Sequence, residues 1–520
     1  MVRAAQLAGD AVANGHEHIN LLVLAAYDQL TRGAPDKALA FAIRARELSP
    51  HNADALNVLG LSLARLNRPR EALPVYDAAL RQAPDAAHLH FNKGCTLEEL
   101  NEVARARSEF ERTIDLQPAH SEALARLASL AALRGDVSAA RNYASRSLQH
   151  DPHGTVAPLA LALAHIEEKK FDDALVMLSP VAREGNRSVV NRSIALGLTG
   201  DALDGLGRTA EAFTAYSQSK AVLRALYRPM YEAPGLETAG QRIQRLIGYF
   251  QGESQTRWRA DRHADPDTRV HVFLVGFPRS GTTLLEQILD SHPDVESMPE
   301  RDCLLDAATD FVLSNEGLGR LATLDQAGLD AYRKKYWSRV AQHGQTAARK
   351  VFIDKMPLNT VLLCLIAKLF PDAKVILALR DPRDVVFSCF RRRFGLTPQM
   401  YELLSLDGAA HYYCGVMGLV EIYREKLNLD LYELHYEATI ADFDREIRSL
   451  CAFLGLEWND SVRDFATRAR AADINTPSSA QVARGLYAHG AAQWRRYEAH
   501  LQGILPLLAP WVSRFGYEET

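Results

Sequence analysis

The chain has 520 residues, of which 47% are hydrophobic and 24% charged, and its formal net charge is −4. Such a length allows roughly two to four soluble domains, and the near-neutral balance gives no global argument for nucleic acid or an anionic membrane surface as a partner; none is expected. Six scattered cysteines (Cys95, Cys303, Cys364, Cys389, Cys414, Cys451) form no CxxC pair, which sets aside a zinc knuckle or a disulfide framework. Residues 1–20 hold no apolar core of signal-peptide length, and the apolar run VLLCLIAKLF is short and contains Lys368. The expectation is a cytoplasmic protein without a membrane span.

In chain order, the first signal is a repeat. Pro50, Pro84, Pro118 and Pro152 stand 34 residues apart. Twelve residues before each proline is an alanine: Ala38, Ala72, Ala106 and Ala140. Twenty-four before lie Ala26, Gly60, Gly94 and Ala128, and eight before lie Ala42, Tyr76, Phe110 and Ala144. Small residues at fixed places let two helices approach closely, and a proline stops the second helix of each pair. This period and phase resemble the tetratricopeptide repeat. An all-α tetratricopeptide solenoid is predicted over residues 1–240, well phased at 17–152 and degenerate around 171–174 and 210–216. Single units cannot bury their apolar faces, so they stack. The stack implies a groove for a protein or peptide partner; a bare scaffold or a homo-oligomerisation arm is the alternative.

Beyond about residue 223 the phase is lost, and residues 251–268 are polar with Pro266 among them. Residues 241–268 are therefore read as a linker and 269–520 as a second domain. It opens with VHVFLVGFPRSGTTLLEQILDSHPDVESMPE, residues 270–300. The β-branched run 270–275 predicts a buried strand, and Leu284, Leu285, Ile288 and Leu289 recur at helical spacing from about Thr282. Strand, small-residue loop and helix start form an anion cradle, because helix-start N–H groups and the helix dipole both favour negative charge. Gly276 and Gly281 have the glycine spacing of a nucleotide P-loop, but Thr282 stands where its lysine belongs, with Thr283 next. That lysine serves the outer phosphates of a nucleoside triphosphate, so a kinase dependent on ATP or GTP is disfavoured. Further strands at 350–354, 374–379 and 429–434, separated by helical stretches such as 358–370, predict a parallel α/β sheet with its site at the strand C-terminal ends.

Two motifs carry a family resemblance. PRSGTTLLEQ resembles the 5′-phosphosulfate loop of sulfotransferases that use 3′-phosphoadenosine-5′-phosphosulfate (PAPS). LRDPRDVVFS, in which Ser388 follows Arg380 by eight residues, resembles their 3′-phosphate loop. A guanidinium and a hydroxyl suit a phosphate held apart from the 5′ group. The resemblance runs from about residue 270 to the C-terminus. It is closest to the protein-tyrosine sulfotransferase branch and to bacterial proteins that join tetratricopeptide repeats to a sulfotransferase domain. The implied fold is an N-terminal all-α solenoid plus a C-terminal α/β, P-loop-like, parallel-sheet sulfotransferase domain.

By the same resemblance Ser280, Gly281, Thr282 and Thr283, with Arg279, hold the 5′-phosphosulfate. Arg380, Ser388 and Arg392 hold the 3′-phosphate, Tyr436 lies on the adenosine side, and Ser478 lies near the 3′ end, before Trp494. Glu300, after His292-Pro293-Asp294-Val295, stands at the place of the catalytic base. Lys355, in DKMP, and Arg279 would stabilise the leaving oxygen. No metal is implied, and no His/Cys/carboxylate group has ligand spacing. Arg391 and Arg393 are expected on a solvated basic face, and His271, His292 and His435 are expected to be structural. Gln493 replaces a basic residue of the family, and Asp302 replaces an arginine that helps hold an acidic peptide. Both departures weaken an acidic tyrosine peptide as acceptor and leave PAPS untouched. The implied activity is sulfuryl transfer from PAPS to an acceptor hydroxyl, a protein or peptide tyrosine among the candidates and a small molecule, lipid or glycan the alternative. Since every implied nucleotide contact lies after residue 270, a chain beginning near Gln251 is expected to bind nucleotide by itself.

Overall fold

The computed structural model describes residues 2–100, 102–183, 185, 188–258, 269–467 and 492–517. Two compact units divide between Val181 and Ala182. In the first, helices come in pairs: Ile19–Thr31 with Pro35–Leu48, Ala53–Arg65 with Pro69–Gln82, Ala87–Glu99 with Val103–Leu116, Ser121–Leu133 with Val137–His150, and Val156–Glu167 with Phe171–Ala182. The phased alanines Ala38, Ala72, Ala106 and Ala140 are fully buried.

The phase that holds either alanine or an aromatic also has a packing reason. A Cβ on Gly60 would lie 2.7 Å from the Tyr76 ring, and one on Gly94 would lie 2.7 Å from the Phe110 ring. Where the later residue is Ala42 or Ala144, the earlier one is Ala26 or Ala128, each pair buried in a common core. An aromatic on one helix thus demands glycine on the other, while alanine faces alanine. Gly94→Ala should therefore destabilise the fold by about 1–3 kcal/mol through overpacking. In a Phe110→Ala background the same change should become neutral or stabilising, because the added methyl enters the space the ring vacated. Thermal unfolding of the two single variants and the double variant measures this; a Gly94→Ala cost that persists without the ring would remove the packing explanation.

The second unit begins with one more pair, Val189–Gly205 and Thr209–Tyr231, in which Gly200 abuts the Tyr216 ring at the same sixteen-residue separation. Next comes the helix Ala239–Gly252, which occupies the first part of the expected linker. Its Ala239, Ile243, Leu246 and Phe250 are buried, and Phe250 meets Tyr423 of the helix Leu406–Lys426 at a ring separation of 5.0 Å. A narrow apolar stripe at helical spacing is enough to bury one face, and the polar run read at residues 251–268 begins only as this helix ends.

Among the described residues five parallel strands follow: β1 (Val270–Gly276), β2 (Val295–Met298), β3 (Val351–Lys355), β4 (Lys374–Leu379) and β5 (Asp430–His435), in the spatial order β2-β3-β1-β4-β5. β1 is central, with Leu274 opposite Lys355 and Gly276 opposite Ala378. Val272 and Leu274 face a core shared with Leu285, Ile288 and Ile447. His271 and Phe273 face the other side, among Tyr336 and Phe370. Sequence reading misses β2, because Val-Glu-Ser-Met is an edge strand of four residues whose two middle positions are only half-buried. The predicted helix 358–370 is a 3-10 turn, Pro357–Leu362, running into an α-helix, Leu363–Leu369.

Candidate active site

In a parallel sheet every strand delivers its next residues to the same edge. Here that edge collects most of the residues singled out in sequence. β1 ends in the loop 277–281, β2 leads to Glu300, and β3 ends on Lys355. Arg380 directly follows β4, and Tyr436 directly follows β5.

The loop turns sharply. Arg279 has φ +73° and Gly281 φ +97°, so a non-glycine residue is held in the left-handed region, a strain of ~1–3 kcal/mol characteristic of functional loops. Cross-loop contacts hold it there: Arg279 Nε donates to Ser388 Oγ (3.0 Å), and Arg380 Nη1 donates to the Arg279 carbonyl (3.2 Å). A Cβ on Gly281 would lie 2.9 Å from the Tyr436 ring, and that ring also stacks on the Arg380 guanidinium at 4.7 Å. The helix Thr282–Asp290 starts its own ladder at Leu285 N, which donates to Gly281 O (3.1 Å). The amides of Thr282, Thr283 and Leu284 lie ahead of that first bond, beside the buried hydroxyls of Ser280, Thr282 and Thr283.

Electrostatically the loop is a concentration of positive charge. Burial pushes Arg279 down to about 9, and the guanidiniums of Arg392, Arg380 and Arg391 push the same way. An anion held here would offset that cost by pairing with the buried guanidinium. Asp384 lies 3.9 Å from Arg380 and accepts from Trp494 N (2.9 Å); burial raises it to about 6 against the pull of Arg380.

A second cluster lies toward β2 and β3. Lys355 Nζ contacts Glu300 Oε1 at 2.9 Å and Glu286 Oε2 at 3.2 Å. Burial alone would lower Lys355, but Glu286 and Glu300 outweigh it and hold the ammonium above the ordinary lysine value. The cation missing from the loop's sequence is thus supplied to its helix from β3. Glu286 was not singled out in sequence; its only signal is a glutamate among Leu284, Leu285, Ile288 and Leu289 on the apolar side of a helix.

Arg391 differs from expectation. It is not on a solvated face: its side chain is buried, and Nη2 pairs with Asp204 Oδ2 (3.0 Å) and Asp201 Oδ1 (3.4 Å) on the helix Val189–Gly205. Gln493 Oε1 accepts from Arg391 Nη1 (3.2 Å), and the Tyr216 ring lies 5.3 Å from the guanidinium. Arg392 pairs with Asp201 Oδ2 at 3.1 Å, and the buried Lys220 donates to the Arg392 carbonyl. Arg393 is exposed as expected. His292 accepts from Asp294 N (3.1 Å) and donates to Glu457 O (2.9 Å), a structural arrangement. Ser478 lies outside the described residues. No group of side chains able to hold a metal ion occurs among the described residues, and no helix among them is long and apolar enough to cross a membrane.

Residues 271–460 match the sulfotransferase family, and residues 23–87 and 91–155 match the tetratricopeptide repeat. An uncharacterized protein of Aquifex aeolicus (strain VF5) is 30% identical over 275 residues, which are 51% of this chain and only 35% of that protein. Protein-tyrosine sulfotransferase 1 of Danio rerio is 28% identical over 261 residues, 48% of this chain and 72% of the relative. Among solved structures, the sulfotransferase domain of the Synechococcus PCC 7002 olefin synthase is 23% identical, with 51% of this chain and 99% of that one covered and a TM-score of 0.36. The chain joins tetratricopeptide repeats at its N-terminus to a sulfotransferase domain at its C-terminus.

Proposed function

We propose that this chain of tetratricopeptide repeats and a sulfotransferase domain moves a sulfuryl group from PAPS to an acceptor hydroxyl. The observation that carries the reading is the division of the sheet edge into two clusters. One, Arg279, Arg380 and Ser388 around the loop, is cationic and hydroxyl-rich; the other sets Glu300 against Lys355. The first suits a ligand with two separate anionic groups, since the guanidiniums offer charge-assisted bonds and the helix-start amides offer fixed ones.

When bound, PAPS supplies the sulfuryl group and a phosphate leaving group. The chain's residues then have distinct tasks. Glu300, half in water, takes the acceptor's hydroxyl proton as general base. Lys355 and Arg279 present positive charge to the leaving oxygen, which is worth most in a buried site. Ser280, Gly281, Thr282 and Thr283 hold the 5′ end; Arg380, Ser388 and Arg392 hold the 3′-phosphate, and Tyr436 lies on the adenosine side. Ser478 is assigned to the 3′ end by the family resemblance alone. The contact of Arg392 with Asp201 is compatible with this role, because one carboxylate leaves most of the guanidinium's donors available.

Arg380→Ala tests the assignment. It should weaken adenosine 3′,5′-bisphosphate on the order of 10–100-fold, the range for one charge-assisted contact, and AMP by far less. Calorimetric titration with both ligands and with ATP reads this. Equal loss for bisphosphate and AMP removes Arg380 from the 3′-phosphate, and tighter binding of ATP than of bisphosphate restores the kinase reading.

For the acceptor we favour a protein or peptide, supported by the joined repeats and by relatives named for protein tyrosines. A tethered groove raises the local concentration of a bound chain to ~mM without new catalytic contacts. Asp302 and Gln493, at two basic positions of the family, count against an acidic tyrosine peptide and keep a small molecule, lipid or glycan as the alternative.

A further inference from the structure

Lys355 is held by two carboxylates that differ in their access to water. Glu300 is 41% exposed, Glu286 is 3% exposed, and Lys355 itself is fully buried. Glu286 projects from the helix that begins at the anion loop, on the side packed against the sheet. A carboxylate in such a place is costly unless it is paired, and a leucine would complete the apolar stripe around it. Burial pushes Glu286 up to about 7, Glu300 and Asp290 add to the push, and Lys355 opposes it.

The two partners also differ in what the reaction asks of them. As Glu300 takes a proton it becomes neutral and loses its hold on the ammonium, at the moment when that charge is needed at the leaving oxygen. Glu286 faces no acceptor and keeps its contact throughout. Because it stands in the second turn of the helix starting at Thr282, it ties the ammonium to the same element that carries the anion loop.

We propose that Glu286 is the positioning residue for Lys355, anchoring its ammonium beside the anion loop independently of Glu300 and so leaving Glu300 available to the acceptor. This rests on the roles assigned above to Lys355 and Glu300.

The test compares the full chain with Glu286→Gln, Glu300→Gln and the double variant. Glu286→Gln should bind adenosine 3′,5′-bisphosphate within about tenfold of the parent, since Lys355 is only one of the groups meeting its 5′-phosphate and Arg279, Arg380, Ser388 and the loop amides are untouched. Its kcat on a small phenol should fall on the order of 10²-fold with KM for the phenol unchanged, the signature of a misplaced rather than an unbound group. Glu286→Asp, which keeps the charge but withdraws it, should recover part of that loss. Melting temperatures supply a readout that needs no turnover. Each single variant leaves one carboxylate on the ammonium and the double leaves none, so the double should melt lower than the two single shifts combined predict. Additive shifts would show that the carboxylates do not share the lysine and would overturn the proposal. Unchanged kcat, or loss of bisphosphate binding together with kcat, would overturn it as well. If the parent transfers no sulfuryl group, the functional reading fails, and the melting comparison decides the anchoring by itself.

Discussion

Glu300→Gln is expected to retain nucleotide affinity and to lose ~10²–10⁴-fold in turnover, the range for removing a general base. Glutamine is close in size and still offers Lys355 an oxygen at the place of Oε1, now 2.9 Å away, so the local packing survives. What it cannot do is take a proton. Arg279, Ser388, Arg380 and Tyr436 are positioned by β1, β4, β5 and the helix Pro382–Arg391, none of which passes through Glu300. Affinity for adenosine 3′,5′-bisphosphate and single-turnover transfer, measured on the same preparation, separate the two effects. Turnover near that of the parent would assign the proton to water or to another group. A parallel loss of affinity would mean that Glu300 supports the fold of the site.

The second large effect concerns where the chain can be cut. Sequence alone makes a start near Gln251 look harmless; the structure reverses that expectation. Removing residues 1–250 takes away Ile243, Leu246 and Phe250, all buried in the second unit. Each fully buried apolar side chain of this kind is worth ~1.5–3 kcal/mol. Together they rival the ~5–15 kcal/mol that holds a typical domain folded. The same cut removes Asp201, Asp204 and Tyr216, which hold Arg391 and Arg392 at the end of the helix carrying Ser388. A chain beginning at residue 251 should therefore be insoluble, or soluble without bisphosphate binding. A chain beginning at residue 182 keeps the whole second unit and should bind bisphosphate and turn over small phenols, while losing any protein acceptors that the repeats recruit. Solubility, circular dichroism and bisphosphate titration of both chains measure this, with labelling of a lysate for the acceptors. A folded, binding-competent chain from residue 251 would show that the helices 189–252 are dispensable to the site. An unchanged set of labelled proteins after removal of residues 1–181 would give the repeats another role.

The sequence by itself determined whatever is written in short-range spacing. The 34-residue period located the helical pairs because helix contacts within a repeat recur at fixed offsets. The strand–loop–helix at 270–290 was legible because periodicity changes there from a continuous β-branched run to helical spacing. The spacing of Arg380 and Ser388 likewise lies within one strand end and one helix.

Tertiary structure alone decided which distant groups meet. The order β2-β3-β1-β4-β5 sets Lys355 next to the loop and Glu300 beyond it, although the chain visits Glu300 first. The buried Glu286 reads as an interruption of an apolar stripe until β3 brings an ammonium against it. Arg391 reads as part of a solvated basic run until Asp201 and Asp204, on a helix far earlier in the chain, close over it. Electrostatic pairing depends on distance in space and on exclusion of water, and neither is encoded in the offset between two positions along a chain.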